Sequence, residues 1–404
     1  MKHVITVSLI LIVAIATTSF LVSYSAISQN AETKPFHVGV TFCGNTTAEA
    51  KLLIDRVKNY TNLFVLQSGP ISKNETATNE ICEYATSAGL DIIVYFGWFD
   101  PDYPWQIPWL DTAKQRWGNR FLGVYYYDEP GGIQLDYNWA NLFNRIREWN
   151  LTLYQTYAPA IEGDNSSMEQ YYDLSAKMYI DAIETDSGLT ALKARSITTF
   201  TSDYALFWFD YLGGYDVILA QFGRNTSVVQ DIALARGAAR MQNKPWGAII
   251  TWTYDVPPYI VDGEEMYDQM LTAYQAGADY LVIFNYPQIE GNAYGILTDE
   301  HFEAIEKFWN DITTMSGVKT SLNAIPISNQ AETALVLPRN YGWGMRRSDD
   351  RLWYWGPDEK SPKIWALSRK LLSQYGLSLD IVYDDPLFPA TGKYNRIYYW
   401  NQST

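Results

Sequence analysis

The sequence predicts an α/β chain: a closed (β/α)8 TIM barrel followed by a small C-terminal α/β lobe. Three observations predict it. Strand-length apolar runs alternate with amphipathic stretches from residue 37 to residue 286, the pattern of parallel strands with helices outside. Runs such as Asp216 to Phe222 and Tyr280 to Tyr286 are nearly continuous in apolar residues, as parallel strands buried on both faces are. Seven such runs within about 250 residues fit a closed barrel better than an open sheet.

Residues 1–30 come first. Lys2 precedes an uncharged, mostly apolar run from Val4 to Asn30, densest up to Val22. This reads as a secretory signal or an N-terminal membrane anchor. Either one exports the remainder of the chain, because the basic end stays inside. Asn45, Asn59, Asn74, Asn150, Asn165, Asn225 and Asn401 each open an Asn-x-Ser/Thr triplet, in agreement with an extracellular or cell-surface location.

The barrel is expected over residues 31–315. Its strands are expected at 37–43, 62–68, 91–97, 121–128, 215–222, 246–253 and 280–286. Helices are expected at about 47–58, 76–88, 137–149, 227–242, 264–276 and 300–314. Two segments compete for the fifth strand, 151–157 and 196–202. We favour 196–202, which makes 151–195 an insertion over the barrel mouth. Residues 316–332 are polar, carry Gly317 and Pro326, and read as a linker. The lobe at 333–404 has strands at 334–337, 379–383 and 395–400. Its helix is opened by Ser361-Pro362 and stopped by Gly376.

Composition narrows the chemistry. A net charge of −15 argues against nucleic-acid binding. Only His3, His37 and His301 exist, so neither a His-rich zinc site nor a Ser-His-Asp triad is expected. Walker-type and dinucleotide glycine spacings are missing, and no cofactor or metal is expected. Cys43 and Cys82 are the two cysteines; they pair in an oxidising compartment or stay as separate buried thiols. Fifteen Trp, 31 Tyr and 16 Phe supply rings that pack cores or stack on sugars.

The segment 121–130 (Phe-Leu-Gly-Val-Tyr-Tyr-Tyr-Asp-Glu-Pro) ends an apolar run in two carboxylates. Alternation along the strand puts Glu129 on one face with Tyr127 and Tyr125, and Asp128 on the other. The C-terminal tips of barrel strands carry the chemistry of this fold. A carboxylic acid held there among rings suits proton transfer, because burial raises its pKa. Glycoside hydrolysis needs a second carboxyl group. Asp255 after strand 7 is favoured, with Asp203 and Asp100 behind it and Glu184 and Asp186 further off. Asp128, Tyr127, Gln221, Trp252, Tyr254 and Asn285 are the candidates for substrate binding. Trp98, Trp105 and Trp109 in the loop after strand 3 join them.

With Glu129-Pro130 at the tip of strand 4 and an α/β lobe after the barrel, the chain resembles a group of (β/α)8 glycoside hydrolases. In that group the acid/base Glu ends strand 4 and the nucleophile Glu ends strand 7. The lobe is similar to the flavodoxin-like second domain of one β-galactosidase family. Ser202-Asp203-Tyr204 and Thr251-Trp252-Thr253-Tyr254 also resemble uncharacterised secreted archaeal proteins. The resemblance implies Glu129 as general acid. It departs at Asp128, where the group has Asn, and at Thr253, where it has the nucleophile Glu. The expectation is therefore an exported protein acting on carbohydrate, tethered to a membrane if the N-terminal segment is kept. A glycoside hydrolase leads, and a non-catalytic glycan-binding or envelope protein is the alternative.

Overall fold

A computed structural model describes residues 36–136, 147–148, 150–162, 168–223, 227–315, 331–353 and 355–402. The expected export segment lies outside these residues, as do most of the helix expected at 137–149 and of the linker.

Eight parallel strands close into a barrel in sequence order. They are β1 (His37–Phe42), β2 (Leu63–Leu66), β3 (Asp91–Phe96), β4 (Phe121–Tyr126), β5 (Thr199–Asp203), β6 (Val217–Phe222), β7 (Trp246–Ile250) and β8 (Tyr280–Ile283). β8 closes on β1 with His37 opposite Tyr280. Alternate residues point inward. Leu63, Val65, Ile93, Tyr125, Phe200, Val217, Leu219, Ile249 and Val282 fill the barrel interior as one apolar cluster. The residues between them, such as Val38, Val40, Ile92 and Val94, pack outward under the helices. Two buried faces explain why these strands read as unbroken apolar runs.

The helices begin where the sequence supplies caps. α1 (Thr47–Val57) opens with a Thr46/Glu49 capping box, and Asn74 caps α2 (Glu75–Ser87), each satisfying otherwise orphaned N–H groups. α3 (Gln106–Trp117) comes after β3, where the sequence suggested a ring-rich loop. α4 (Pro130–Asp136) comes after β4.

The segment 151–157, the rejected strand candidate, is helical within α5 (Leu151–Glu162). Leu153, Tyr157 and Ala158 are buried, a helical spacing that the local Leu-Thr-Leu alternation conceals. α6 (Met168–Glu184) and α7 (Ser187–Ala194) complete the insertion. The Tyr179 hydroxyl of α6 bonds Asp210 on α8 (Phe207–Gly213). The Tyr172 hydroxyl bonds Asp358 beyond the barrel at 2.9 Å.

α9 (Val228–Gln242), α10 (Gly263–Gln275) and α11 (Asp299–Met315) finish the barrel layer. The lobe is a three-stranded parallel sheet with β9 (Thr333–Leu337) in the centre, flanked by β10 (Leu379–Tyr383) and β11 (Arg396–Tyr399). α12 (Ser361–Tyr375) has proline in its first turn and ends at Gly376.

The lobe docks on α9. Arg236 donates Nε to Asp380 at 2.8 Å and Nη2 to the Leu377 carbonyl at 2.6 Å. Gln230 donates to the Met345 carbonyl at 2.7 Å. Gly237 lets the two layers touch, because a Cβ there would sit 2.6 Å from the Ile381 carbonyl oxygen. Gly237→Ala should therefore lower stability by about 1–3 kcal/mol through overpacking, despite alanine's better helix propensity. Urea unfolding checks this; a rise in midpoint would refute it.

Candidate functional site

The site is built where β4 stops. Strand geometry ends at Tyr126, and the chain then takes left-handed φ values of 60° at Tyr127 and 55° at Glu129. Such values are costly for residues with a Cβ and persist only where surroundings enforce them. Here the Glu129 amide donates to the Ser202 carbonyl at 3.0 Å, and Thr201 Oγ1 donates to the Tyr127 carbonyl at 3.0 Å. This turn breaks the alternation expected from the sequence. Asp128, and not Glu129, joins Tyr125: the Tyr125 hydroxyl donates to Asp128 Oδ1, and Ser202 Oγ donates to the same oxygen at 2.9 Å.

Glu129 projects into a cleft of about 450 Å³. Its Oε1 accepts a hydrogen bond from Gln221 Nε2 at 2.8 Å, and the same nitrogen donates to Ser202 Oγ at 2.8 Å. Gln221 shares strand parity with the inward Val217 and Leu219, which is why it reaches the mouth. Thr251 and Trp252, the first residues after β7, form another wall. The Trp252 indole packs against Tyr259, Phe284 and Tyr286.

A third wall combines barrel and lobe. Arg346, from the irregular segment after β9, holds Asp350 through Nε and Nη2, each at 2.8 Å. It reaches Asp136 at the end of α4 through Nη1 at 2.8 Å. The Tyr204 hydroxyl donates to the other Asp136 oxygen at 2.6 Å. Arg346, Asp136 and Tyr204 all line the cleft with Glu129. A cation and a hydroxyl thus fix the orientation of Asp136, and charge-assisted bonds of this kind are the stronger ones.

Asp203 has no exposed surface. Its parity turns it outward from the barrel axis, because Phe200 and Ser202 take the inward positions. It accepts N–H groups from Gly131 at 2.5 Å, Gly132 at 2.8 Å, Tyr204 at 2.7 Å and Ala205 at 3.1 Å. Burial pushes its carboxyl up to about 7, against the pull of those donors and with help from the Glu129 charge. Burial likewise raises Asp128, opposed by the hydroxyls of Tyr125 and Ser202.

This shift sets a pH dependence of stability. A carboxyl raised from 3.8 to about 7 on folding contributes most below pH 3.8, where both states hold the proton. That contribution is lost as pH rises through about 7. The melting temperature should fall between pH 5 and pH 8, and a rise over that interval would refute the Asp203 contribution.

The other candidates lie elsewhere. Asp255 and Tyr254 sit on an exposed stretch beyond β7 and are not among the cleft-lining residues; the strand ends at Ile250, so alternation cannot carry Asp255 inward. Trp98 is 61% exposed, whereas Trp109 is 2% exposed and donates its indole N–H to Asn79 at 2.9 Å. Trp105 packs edge-on to Phe96. None of the three tryptophans lines the cleft. Asn285 is buried and accepts the Ile296 amide at 3.1 Å. Asp100 accepts the Asp102 amide at 2.9 Å in a local turn, and Asp186 caps α7. Cys43 and Cys82 are unpaired thiols. Among the described residues no group of three His, Cys, Asp or Glu could hold a metal ion.

Sequence reasoning missed Asp136, Tyr204, Ser202 and Arg346 as parts of the site. Parity signalled Ser202, as it does Thr251 at the tip of strand 7. Nothing local signalled Arg346, which arrives from the other lobe.

No protein-family model and no curated protein matches this chain. Solved structures with a similar fold include a GH99 endo-α-mannosidase of Bacteroides thetaiotaomicron, at 9% identity and TM-score 0.43, covering 70% of this chain and 98% of that one. A GH10 endoxylanase from a sugarcane soil metagenome matches at 10% identity and TM-score 0.36, covering 68% and 97%. A 3-hexulose-6-phosphate synthase matches at 12% identity and TM-score 0.35, covering 68% and 99%. At these values the comparisons assign the chain to no family; its (β/α)8 barrel rests on its own strand order.

Proposed function

We propose that this chain is an exported carbohydrate-active protein that hydrolyses glycosidic bonds in the cleft, with Glu129 as general acid. The observation that carries this reading is the placing of Glu129. A carboxyl at the mouth of a parallel barrel shares one cleft with the Gln221 amide, the Trp252 indole and a second carboxylate, Asp136. A ring offers a face to the apolar side of a sugar. Glu129 would protonate the departing oxygen. Asp136, oriented by Arg346 and Tyr204, would stabilise positive charge developing on the sugar or direct a water. Asp255, on the exposed stretch beyond β7, is the alternative second carboxylate.

One observation favours a second reading, a glycan-binding protein that does not cut. Both oxygens of Asp136 are already engaged, by Arg346 and by Tyr204. The two readings separate in one experiment. A panel of oligosaccharides is tested for binding by calorimetry and for cleavage by chromatography, with the parent, Glu129→Gln, Asp136→Asn and Asp255→Asn. Cleavage lost in Glu129→Gln and Asp136→Asn but kept in Asp255→Asn supports the hydrolase. Binding without cleavage by the parent supports the second reading, and neither binding nor cleavage ends both. Export rests on the N-terminal segment and the Asn-x-Ser/Thr triplets; fractionation of the native host should recover the chain outside the cytosol.

A further inference from the structure

We propose that Asp203 is the positioning residue of Glu129, and that it shares one proton with the buried Asp210 behind it.

The geometry begins with the turn that carries Glu129. Residues 130–132 leave the strand as the first turn of α4, whose leading N–H groups have no partner inside the helix. Asp203, on the neighbouring strand, takes those of Gly131 and Gly132. It also takes the Tyr204 and Ala205 amides of its own strand end. One carboxylate thus ties the tip of β4 to the tip of β5, immediately behind Glu129. The fit is close, since a Cβ on Gly132 would run into the Tyr204 ring. The left-handed φ of Glu129 is a conformation that needs such outside support.

Asp210 lies behind Asp203 and has no exposed surface. Its Oδ1 accepts the Tyr179 hydroxyl, while its Oδ2 is buried and receives no donor, so a proton held between it and the neighbouring Asp203 carboxyl would satisfy it; burial and the Asp203 charge both favour the protonated form. Two adjoining carboxyls do not both ionise in a buried site, so one proton serves the pair. The groups facing the pair are Glu129 from the turn after β4, Tyr204 beside Asp203, Tyr179 from α6, Tyr211 from α8 and Tyr215 from the loop before β6. None of the five carries a positive charge that could neutralise the pair, so its charge is set by protons. When Asp203 is ionised it grips the four amides fully. When it is protonated the grip weakens, and the Glu129 carboxyl is less firmly aimed at the cleft.

This rests on Glu129 being the working carboxyl of the proposed function, so the test reads Glu129 itself and needs no substrate. The full chain is labelled with carbon-13 at glutamate carboxyls, and the Glu129 resonance is identified by its loss in Glu129→Gln. In the parent, that resonance should show a step near pH 7 in addition to its own titration. In Asp203→Asn the step should vanish. In Asp210→Asn, whose amide is a weaker donor toward Asp203 than a carboxylic acid and carries no labile proton, the step should move to higher pH. Asp210→Asn decides the matter if Asp203→Asn does not fold. A parent resonance without the step, or a step unchanged in the folded variants, would overturn the proposal. A responsive Glu129 in a protein that cleaves no glycan would leave the positioning intact and end the hydrolase reading.

Discussion

Glu129→Gln should reduce hydrolysis of natural glycans by about 10²–10⁴-fold, the usual contribution of general acid catalysis. The substitution keeps the shape of the side chain and removes its labile proton. The new amide can still accept the Gln221 N–H through its carbonyl, so the cleft wall keeps its form. The loss should be concentrated in kcat, because the proton is delivered as the bond breaks and not as substrate binds. Aryl glycosides with good leaving groups need less protonation and should lose far less. Asp136→Asn should slow both substrate kinds alike, since charge stabilisation is needed whatever leaves. It should also loosen Arg346, which would keep only Asp350. Equal activity of Glu129→Gln and the parent on a natural glycan would end the assignment.

Arg236→Ala should cost about 3–5 kcal/mol, because it leaves a buried carboxylate without its cation. Asp380 has no exposed surface and Arg236 has 7% of its side chain exposed. Tyr394 still donates to the other Asp380 oxygen at 2.9 Å, while Arg240 stands off at 3.7 Å. The same arginine satisfies the Leu377 and Leu379 carbonyls where the chain enters β10, so those acceptors lose their donor as well. A loss of this size is a large share of a typical domain's 5–15 kcal/mol. Urea unfolding should show an early transition from the lobe, separated from that of the barrel. Replacing both partners, as Arg236→Met with Asp380→Leu, should recover most of the loss, because an apolar pair needs no desolvation of charge. A midpoint unchanged in Arg236→Ala would show that the pair does not hold the lobe.

The barrel, the lobe and the place of Glu129 at a strand tip were legible in residue patterns alone. Both-face burial wrote the strands as apolar runs, and caps such as Thr46, Asn74 and Ser361-Pro362 marked helix starts. These are local signals, readable within a few residues. The fifth strand was a choice between two segments, and β5 covers residues 199–202 of the favoured one. Parity along β6 placed Gln221 at the mouth.

The surroundings of Glu129 come from tertiary structure. Alternation holds only while the chain is extended, and it failed at Tyr127 and Glu129, where the backbone turns left-handed. Asp128 therefore joined Tyr125, and Asp255 fell outside the cleft because β7 had already ended. Trp109 went to the core because α3 turned it inward. Arg346 could not be foreseen, since it lies 217 positions after Glu129 in the chain and meets the cleft only because the lobe docks on α9. A strand records its own burial in its sequence. A site assembled from five segments records only its parts, and folding brings them together.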